Sequence, residues 1–201
     1  GSGAVRNDFS IADRNFYIVT GANMAGKSTF LRSLGVNYVL AMNGMPVFAD
    51  ELTVSRFSLF TSMRTTDDLT HGISYFNAEL LRLRQIIDSL KESGTADGSG
   101  KSGNGTSGGH LIILDEILNS EDKLSGSRMF LEYVAGKNVT GVIATHDLKL
   151  SAMAEEQPGR FHNYCFEIAL GTDVTYSYKI TPGVARNQNA TFLLKNILKE
   201  N

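Results

Sequence analysis

Residues 21–28 of this 201-residue chain read Gly21-Ala22-Asn23-Met24-Ala25-Gly26-Lys27-Ser28, and they decide its fold. The apolar run Phe16-Tyr17-Ile18-Val19 precedes them, and a stretch of helical character from Thr29 to Met42 follows. A strand, a glycine-rich turn and a helix in this order aim several backbone N–H groups at one point, where the helix dipole and the Lys27 ammonium add positive potential. The sequence therefore predicts a phosphate-binding loop.

Each residue type in this loop has a physical reason to be there. Gly21 and Gly26 let the backbone adopt conformations closed to other residues and approach the phosphates closely. Lys27 is expected to reach the β- and γ-phosphates, and the Ser28 hydroxyl to bind Mg²⁺. The alternative is a glycine-rich turn that carries Lys-Ser by chance, and the flanking strand and helix argue against it.

Composition restricts the class of protein. Hydrophobic residues make up 42% and charged residues 20% of the chain, which is typical of a globular protein, and residues 1–201 fit one domain. The net charge of -2 gives no sign of direct binding to nucleic acid or to an anionic membrane. No apolar stretch approaches the roughly 20 residues of a membrane span, and no secretory signal is recognised. The lone Cys165 excludes an internal disulfide, which fits a cytoplasmic location.

Strand and helix patterns alternate along the chain, which predicts an α/β fold. Between Pro46 and Met63, apolar residues occupy every second position at Leu52 and Val54 and again at Phe57 and Leu59, as in short half-buried strands. A long helix is expected from about Ser74 to Lys91. Its predicted core stripe is Phe76, Leu80, Leu83, Ile87 and Leu90, with Glu79, Arg82 and Asp88 off the stripe.

The second half of the chain contains one segment of different composition. Residues 93–109 include seven glycines and no apolar residue larger than Ala96, so they are expected to form a flexible Gly/Ser-rich loop or insert. A helix is expected near Ser125 to Ala135. Near the C-terminus, alternating residues on either side of Gly171-Thr172-Asp173 predict a β-hairpin, and a short helix is expected over about residues 190–198.

Three predicted strands end in reactive groups. Val19 leads into the loop, the run Leu111 to Leu114 leads into Asp115-Glu116, and the strand ending at Ala144 leads into Thr145-His146. Because ligands of open α/β sheets bind beyond the carboxyl ends of the strands, these groups are expected to form one site.

Each of these groups has an expected role in phosphoryl chemistry. Asp115 would hold Mg²⁺ through water, and Glu116 would orient or deprotonate the attacking water. His146 would donate a hydrogen bond to the γ-phosphate. The alternatives are ordinary surface acids at a strand end and a histidine at a helix start, where Asp147 caps the following helix.

With these residues in place, the chain resembles the ATPase domain of the MutS family of DNA mismatch-repair proteins, which belongs to the ABC class of P-loop ATPases. The strongest match is the loop from Thr20 to Thr29, because Asn23-Met24 inside such a loop is habitual in this family. Further matches are the segment from Asp67 to Glu79, Leu114-Asp115-Glu116-Ile117 and Ala144-Thr145-His146. The resemblance implies a mostly parallel sheet flanked by helices, with ATP and Mg²⁺ as ligands and Thr29 as part of the nucleotide site.

The resemblance also implies a dimer in which two such domains complete each other's ATP sites. Ser74 would then touch the γ-phosphate held by the partner's loop, whereas its alternative role is a plain helix cap. Val5 and Tyr178 lie nearest the positions that hold adenine in the family. DNA would be bound only through domains absent from this chain.

The chain departs from the family pattern in two places. Leu118 runs directly into Asn119-Ser120-Glu121-Asp122, where the family has an Arg/Lys-Gly-Thr stretch that joins the two sites. Either this loop is shortened or residues are missing between Leu118 and Asn119. Nothing in the chain corresponds to the family's mismatch-recognition, lever or clamp domains.

The leading hypothesis from the sequence is a Mg²⁺-dependent ATPase, weak as an isolated domain, whose nucleotide state controls dimerisation. One alternative is a nucleotide-gated dimerisation module with negligible turnover. The other is the nucleotide-binding subunit of a membrane transporter. For that alternative the chain offers only Leu124-Ser125-Gly126-Ser127, which lies after the Asp-Glu strand and has the wrong ending.

Overall fold

The apolar runs of the sequence form the centre of a six-stranded sheet. The computed structural model describes residues 3–63, 72–94, 109–118, 123–170 and 174–186. The strands are β1 Phe16–Gly21, β2 Ser58–Ser62, β3 His110–Asp115, β4 Val139–Thr145, β5 Phe161–Leu170 and β6 Val174–Pro182. The helices are α1 Lys27–Met42, α2 Gly72–Gly94, α3 Lys123–Ala135 and α4 Ala152–Glu156, and a 3-10 turn, Leu148–Ser151, precedes α4.

The strand order places the three reactive strand ends side by side. The order is β2-β3-β4-β1-β5-β6, and every neighbouring pair is parallel except the hairpin β5–β6. Helical crossovers join the parallel strands, as this pairing requires. Because β4 lies between β3 and β1, the carboxyl ends of these three strands meet at one edge of the sheet.

The sheet is buried on both faces, which explains why its central strands are continuously apolar. In β1, Phe16 and Ile18 face one hydrophobic cluster, and Tyr17 and Val19 face another. The first cluster is completed by residues of α2, α3 and α4, among them Leu83, Leu131 and Met153. The second is completed by residues of α1, including Phe30, Leu31 and Tyr38. Every residue of these strands is buried: all six of β1, all six of β3 and all seven of β4.

The structure confirms the predicted α/β class, the mostly parallel sheet and the hairpin near the C-terminus, and it corrects two local predictions. Leu52 and Val54 belong to no strand and are exposed, so the strand predicted there is wrong. Only Ser58–Ser62 pairs with β3, and the preceding alternation is not matched by a partner strand. Alternation alone therefore does not define a strand without a neighbour.

The buried stripe of α2 also differs from the predicted one. Glu79 was expected off the stripe and is buried, whereas Leu80 was expected in the core and is 42% exposed. The buried positions 79, 83, 86 and 90 are spaced by four, three and four, which is a helical face rotated slightly from the predicted face. Ile86 therefore takes the core position that the prediction gave to Ile87, which is half-buried.

Some predictions fall on residues outside the described ranges. They are residues 95–108 of the Gly/Ser-rich segment, the junction after Leu118 and the C-terminal helix over 190–198. The first two residues of the predicted flexible segment, Ser93 and Gly94, belong to α2. Among the helices in the described ranges, none combines the length and the apolar character needed to cross a membrane.

Candidate active site

The loop between β1 and α1 has the backbone geometry of an anion-binding turn. Gly26 is the residue before α1 and has φ 113°, and Met24 has φ 64°, so the chain turns through left-handed conformations just before the helix. The first N–H groups of α1, from Lys27 onward, have no partner within the helix and point towards the loop. No acidic side chain lies in the first turn of α1. The N-terminus of α1 therefore keeps its positive potential.

Two glycines of the loop are required by their surroundings. A side chain at Gly21 would place its Cβ 2.9 Å from the carbonyl oxygen of Phe166 on the neighbouring strand β5. A Cβ at Gly26 would lie 3.3 Å from a ring carbon of Tyr178. The loop is thus pressed against the β5–β6 hairpin, which fixes its position relative to the sheet.

Lys27 is buried and its ammonium group is held by the loop itself. Its Nζ donates to the carbonyl oxygens of Gly21, at 2.7 Å, and Ala22, at 3.0 Å. Burial lowers the pKa of Lys27, and the negative charges of Glu116 and Asp115 partly offset that effect. The lysine predicted to bind phosphate therefore lies within electrostatic reach of the two acids at the end of β3.

Glu116 is the most tightly constrained polar residue of the site. Its Oε1 accepts hydrogen bonds from the backbone N–H of His146, at 2.9 Å, and contacts Nδ1 of the same residue at 2.8 Å. Its Oε2 accepts from the Thr145 hydroxyl at 3.1 Å. The ends of β3 and β4 are therefore joined directly through this carboxylate, a contact that the sequence did not predict.

The backbone at Glu116 is in an unusual conformation. Its φ is 64°, a left-handed conformation that costs a non-glycine residue of the order of 1 kcal/mol and persists only where neighbouring contacts enforce it. The Glu116 N–H donates to the carbonyl of Ala144 at 2.9 Å. After it, Ile117 and Leu118 are buried, and Leu118 occupies the space beside Gly126 that a side chain there would need. The turn is thus anchored on both sides.

Asp115 has properties that fit a cation site. The Asp115 carboxylate is buried, and its Oδ2 has no hydrogen-bond partner among the described residues, which is costly unless a cation or water pairs with it. The described residues contain no group of three or more His, Cys, Asp or Glu that could hold a metal.

Thr145 is a polar residue of the site to which the sequence assigned no role. It is buried at the end of β4, donates to Glu116 and accepts the backbone N–H of Asp147 at 3.0 Å. The signal available in the sequence was a hydroxyl residue directly before His146 at a strand end. Asp147 caps the following 3-10 turn through Lys149 N, as the alternative interpretation of this segment proposed.

A small pocket adjoins Glu116 but is not the phosphate site. Its lining comes from the end of β3, from α3 and from the segment after β4, and it includes no residue of the loop 21–28. Its polar lining residues are Glu116, Ser127, Thr145 and Asp147, and its apolar ones are Leu118, Leu124 and Leu150. The loop therefore does not contribute to this pocket.

Hydrogen bonds between adjacent residues bring together the two segments that contain Val5 and Tyr178, the residues predicted to hold adenine. The Asn7 side chain donates to the Tyr178 carbonyl at 2.9 Å, and the Lys179 ammonium donates to the Arg6 carbonyl. Val5 is 40% exposed and Tyr178 is 44% exposed. Tyr178 has φ 53° and stacks on Tyr176 with ring centroids 5.8 Å apart. Both side chains are partly exposed, and the Tyr178 ring adjoins Gly26.

The remaining predicted residues have simpler positions. Asn23, Met24 and Thr29 are exposed on the loop and first turn of α1. Ser74 lies in the first turn of α2, and its side chain is outside the described part of the chain. His110 packs on Phe60 and His162 on Tyr17, away from the three strand ends.

Comparison with known protein families accounts for this arrangement. A sequence model described as MutS domain V matches residues 17–192, which is most of the chain. The chain belongs to the MutS domain V family. Its match includes the loop and both strand ends that carry Asp115, Glu116 and His146.

Several curated relatives contain a segment similar to this MutS domain V chain. The DNA mismatch repair protein MutS of Halothermothrix orenii is 32% identical over 196 residues, which is 92% of this chain and 20% of the relative. The protein of the same name from Syntrophomonas wolfei is 31% identical over 189 residues, or 90% and 20%. DNA mismatch repair protein MutS 2 of Halobacterium salinarum is 31% identical over 192 residues, or 92% and 20%. The chain thus spans about a fifth of the length of these relatives.

Proposed function

We propose that this chain is a Mg²⁺-dependent ATPase domain of the ABC class of P-loop NTPases, acting in a MutS-like DNA mismatch-repair protein. The observation that carries the proposal is the meeting of three strand ends. The glycine-rich loop follows β1, Asp115 ends β3 with its buried Oδ2 unpaired among the described residues, and the Glu116 carboxylate after β3 is held by Thr145 at the end of β4. Phosphoryl transfer needs these elements together, since its catalysis is mainly positioning and charge neutralisation.

ATP binding would begin with an exchange of partners in the loop. The phosphates accept hydrogen bonds from the loop N–H groups and from the first turn of α1. Lys27 gives up its bonds to the Gly21 and Ala22 carbonyls and pairs with β- and γ-phosphate oxygens. Lys27 is already buried, so the exchange of two neutral acceptors for charged ones adds little to the free-energy cost of desolvating its ammonium group.

Ser28 and Asp115 are the residues that would hold Mg²⁺. Mg²⁺ held there would supply charge neutralisation for phosphoryl transfer. The buried Asp115 oxygen without a partner gains one in this arrangement, directly or through a bound water.

Glu116 would act as the general base for the attacking water. The water oxygen bonds to the γ-phosphorus, its proton passes to the Glu116 carboxylate, and the bond from the γ-phosphorus to the bridging oxygen breaks to leave ADP. His146, whose side chain is 41% exposed, would turn from Glu116 to donate a hydrogen bond to the γ-phosphate.

The partner and ligand assignments of the family extend this proposal. Adenine would pack between Val5 and Tyr178 beside Gly26. Two copies of the chain would complete each other's sites, with Ser74 of each copy donating to the γ-phosphate bound by the other. The nucleotide state would then set the dimer geometry and, through other domains of the parent protein, its binding to DNA.

The binding step is tested by titrating ATP into the wild type, Lys27→Ala and a matched control, Lys91→Ala. Lys91 is exposed near the end of α2 and pairs only with Asp88 among the described residues. We expect Lys27→Ala to lose ATP binding and Lys91→Ala to bind like the wild type. Wild-type affinity in a folded Lys27→Ala variant would overturn the assignment of the loop.

The composite dimer is tested by mixing two inactive variants. Lys27→Ala and Ser74→Ala each inactivate both sites of their own homodimer. A mixed dimer contains one intact site, formed by Lys27 of one copy and Ser74 of the other. An equal mixture should therefore recover about a quarter of the wild-type rate of phosphate release. No recovery, in a mixture shown by sedimentation to form mixed dimers, would contradict sharing of the site.

A second candidate function is a nucleotide-gated dimerisation module with negligible turnover. It is favoured by the internal pairing of the reactive groups, because Lys27 is held by loop carbonyls and Glu116 by Thr145 and His146. Single-turnover hydrolysis and sedimentation with ATP separate the two functions. ATP-induced dimers without phosphate release support the module, and steady phosphate release supports the ATPase.

A further inference from the structure

Glu116 has two kinds of partner, and they differ in their ability to leave. The His146 side chain is 41% exposed, so its ring can rotate towards another acceptor. Thr145 is only 4% exposed and lies in β4, whose neighbours β1 and β3 hold it on both sides. Its β-branched side chain is further restricted in χ1. The contact with Glu116 Oε2 is therefore the stationary side-chain contact, and it complements the backbone N–H of His146, which donates to Oε1 at 2.9 Å.

The direction of the Thr145 hydrogen bond is set by its second partner. Its Oγ1 accepts the backbone N–H of Asp147 at 3.0 Å. The single hydroxyl proton is then directed to the Glu116 Oε2, which is 3.1 Å away and can only accept when ionised. One carboxylate oxygen is thus held in place while the other faces His146.

We propose that Thr145 is the positioning residue of the hydrolytic reaction, fixing the Glu116 carboxylate when His146 leaves it for the γ-phosphate. This inference rests on the proposed ATPase function and adds a residue to it. The left-handed backbone at Glu116 makes such an anchor necessary, because a strained turn relaxes when its enforcing contacts are lost. With Thr145 in place, Oε1 loses the His146 ring, keeps the His146 backbone N–H and can accept the water proton, while Oε2 stays bound to the Thr145 hydroxyl. A misplacement of about 1 Å at such a group can cost roughly 100-fold in rate.

The test compares Thr145→Val, Thr145→Ser and Thr140→Val. Valine keeps the shape of threonine and removes the hydroxyl, and serine restores it. Thr140 is the matched control, since it is fully buried on the same strand and its hydroxyl bonds Asp13 and Arg14 at the opposite end of β4. Melting temperatures of all variants measure the general effect of losing a buried hydroxyl.

We expect Thr145→Val to lower kcat for ATP by about 10- to 100-fold, with KM changed by less than about twofold. Thr145→Ser should recover to within about threefold of the wild type, and Thr140→Val should keep the wild-type kcat. A wild-type kcat in Thr145→Val, or a serine variant as slow as the valine variant, would overturn the inference. If Thr140→Val lost as much kcat as Thr145→Val, the loss would come from reduced stability, and this result would overturn the inference as well.

A structural measurement keeps the inference independent of the proposed activity. Crystal structures of the wild type and Thr145→Val, without nucleotide, locate the Glu116 carboxylate directly. We expect it to be displaced or in several conformers in the valine variant and single in the wild type. An unchanged carboxylate would refute the anchor even if the protein hydrolyses ATP. A displaced carboxylate in a protein without any hydrolysis would refute the ATPase function and leave the anchor as an observed contact.

Discussion

Gly141 gives the sharpest test of how the central sheet is packed. A Cβ added at this position in β4 would lie 2.6 and 2.9 Å from two ring carbons of Phe16 and 3.2 Å from Ile112 Cγ1. Phe16 is fully buried and stacks on Phe161 with ring centroids 5.2 Å apart, so its ring has no open space to enter. Gly141→Ala therefore forces an overpacked core.

The expected cost follows from two opposing effects. Overpacking of a close-packed core typically costs about 1–3 kcal/mol. Replacing glycine by alanine inside a strand recovers about 0.5–1 kcal/mol through chain entropy. The 2.6 Å approach to the ring of a fully buried residue places the overpacking cost at about 2–3 kcal/mol. The free energy of unfolding of Gly141→Ala should therefore fall by about 1–2.5 kcal/mol, which for a chain of this size lowers Tm by roughly 2–10 °C.

Urea unfolding of the variants provides the measurement. Gly159→Ala is the matched control, because an added Cβ there meets nothing within 4 Å and it should be neutral. A double-mutant cycle with Phe16→Leu should give a coupling of at least about 0.5 kcal/mol, since the smaller side chain makes room for the new methyl group. Gly141→Ala as stable as Gly159→Ala, or strict additivity with Phe16→Leu, would refute the packing argument.

Three further predictions concern buried polar groups. Tyr38→Phe should destabilise the fold by about 1–3 kcal/mol, because the Tyr38 hydroxyl accepts the Phe57 N–H at 2.6 Å, and a loss below about 0.5 kcal/mol in urea unfolding would contradict this. Burial raises the pKa of Cys165, so a thiol reagent at pH 8 should label the native protein far more slowly than the urea-unfolded one, and equal rates would be inconsistent with a buried thiol. Burial lowers the pKa of His110, and a backbone contact with Asn138 offsets this only in part. As pH falls through about 6.5, His110 therefore takes up a proton in the unfolded chain before it does so in the folded protein, and the free energy of unfolding declines below that pH. His110→Gln should flatten this decline between about pH 7.5 and 5.5. An identical slope in the variant would exclude His110 as its source.

The sequence predicted the fold wherever the pattern of burial was simple. The strands β1, β3 and β4 are buried on both faces. Each is therefore a continuous apolar run, which can be recognised in the sequence without knowing which strands pair with it. The strand proposed around Leu52 and Val54 failed because alternation does not reveal whether a neighbouring strand exists. The α2 face was misjudged by one position near Leu80, since a charged residue at Glu79 hid a buried position from a hydrophobicity pattern.

The sequence could indicate which side chains lie at this edge of the sheet, but not the contacts that they make there. Parallel strand ends bring Lys27, Glu116 and His146 to one edge, and motif spacing was sufficient to name them. The clamp on Glu116 depends on a left-handed turn and on a hydroxyl from β4, neither of which has a periodic signal in sequence. The sequence pattern therefore assigns Thr145 no role beyond that of a residue at a strand end.

Single-turnover hydrolysis by Glu116→Gln tests the central claim most directly. Glutamine keeps the size of the side chain and removes its ability to take a proton. With Mg²⁺-ATP bound and unbound nucleotide removed, the wild type should release phosphate. Glu116→Gln should bind ATP as tightly and release phosphate about 100- to 10,000-fold more slowly, because general-base catalysis is lost. Phosphate release by Glu116→Gln at the wild-type rate would contradict the assignment of Glu116 and of the site built around it.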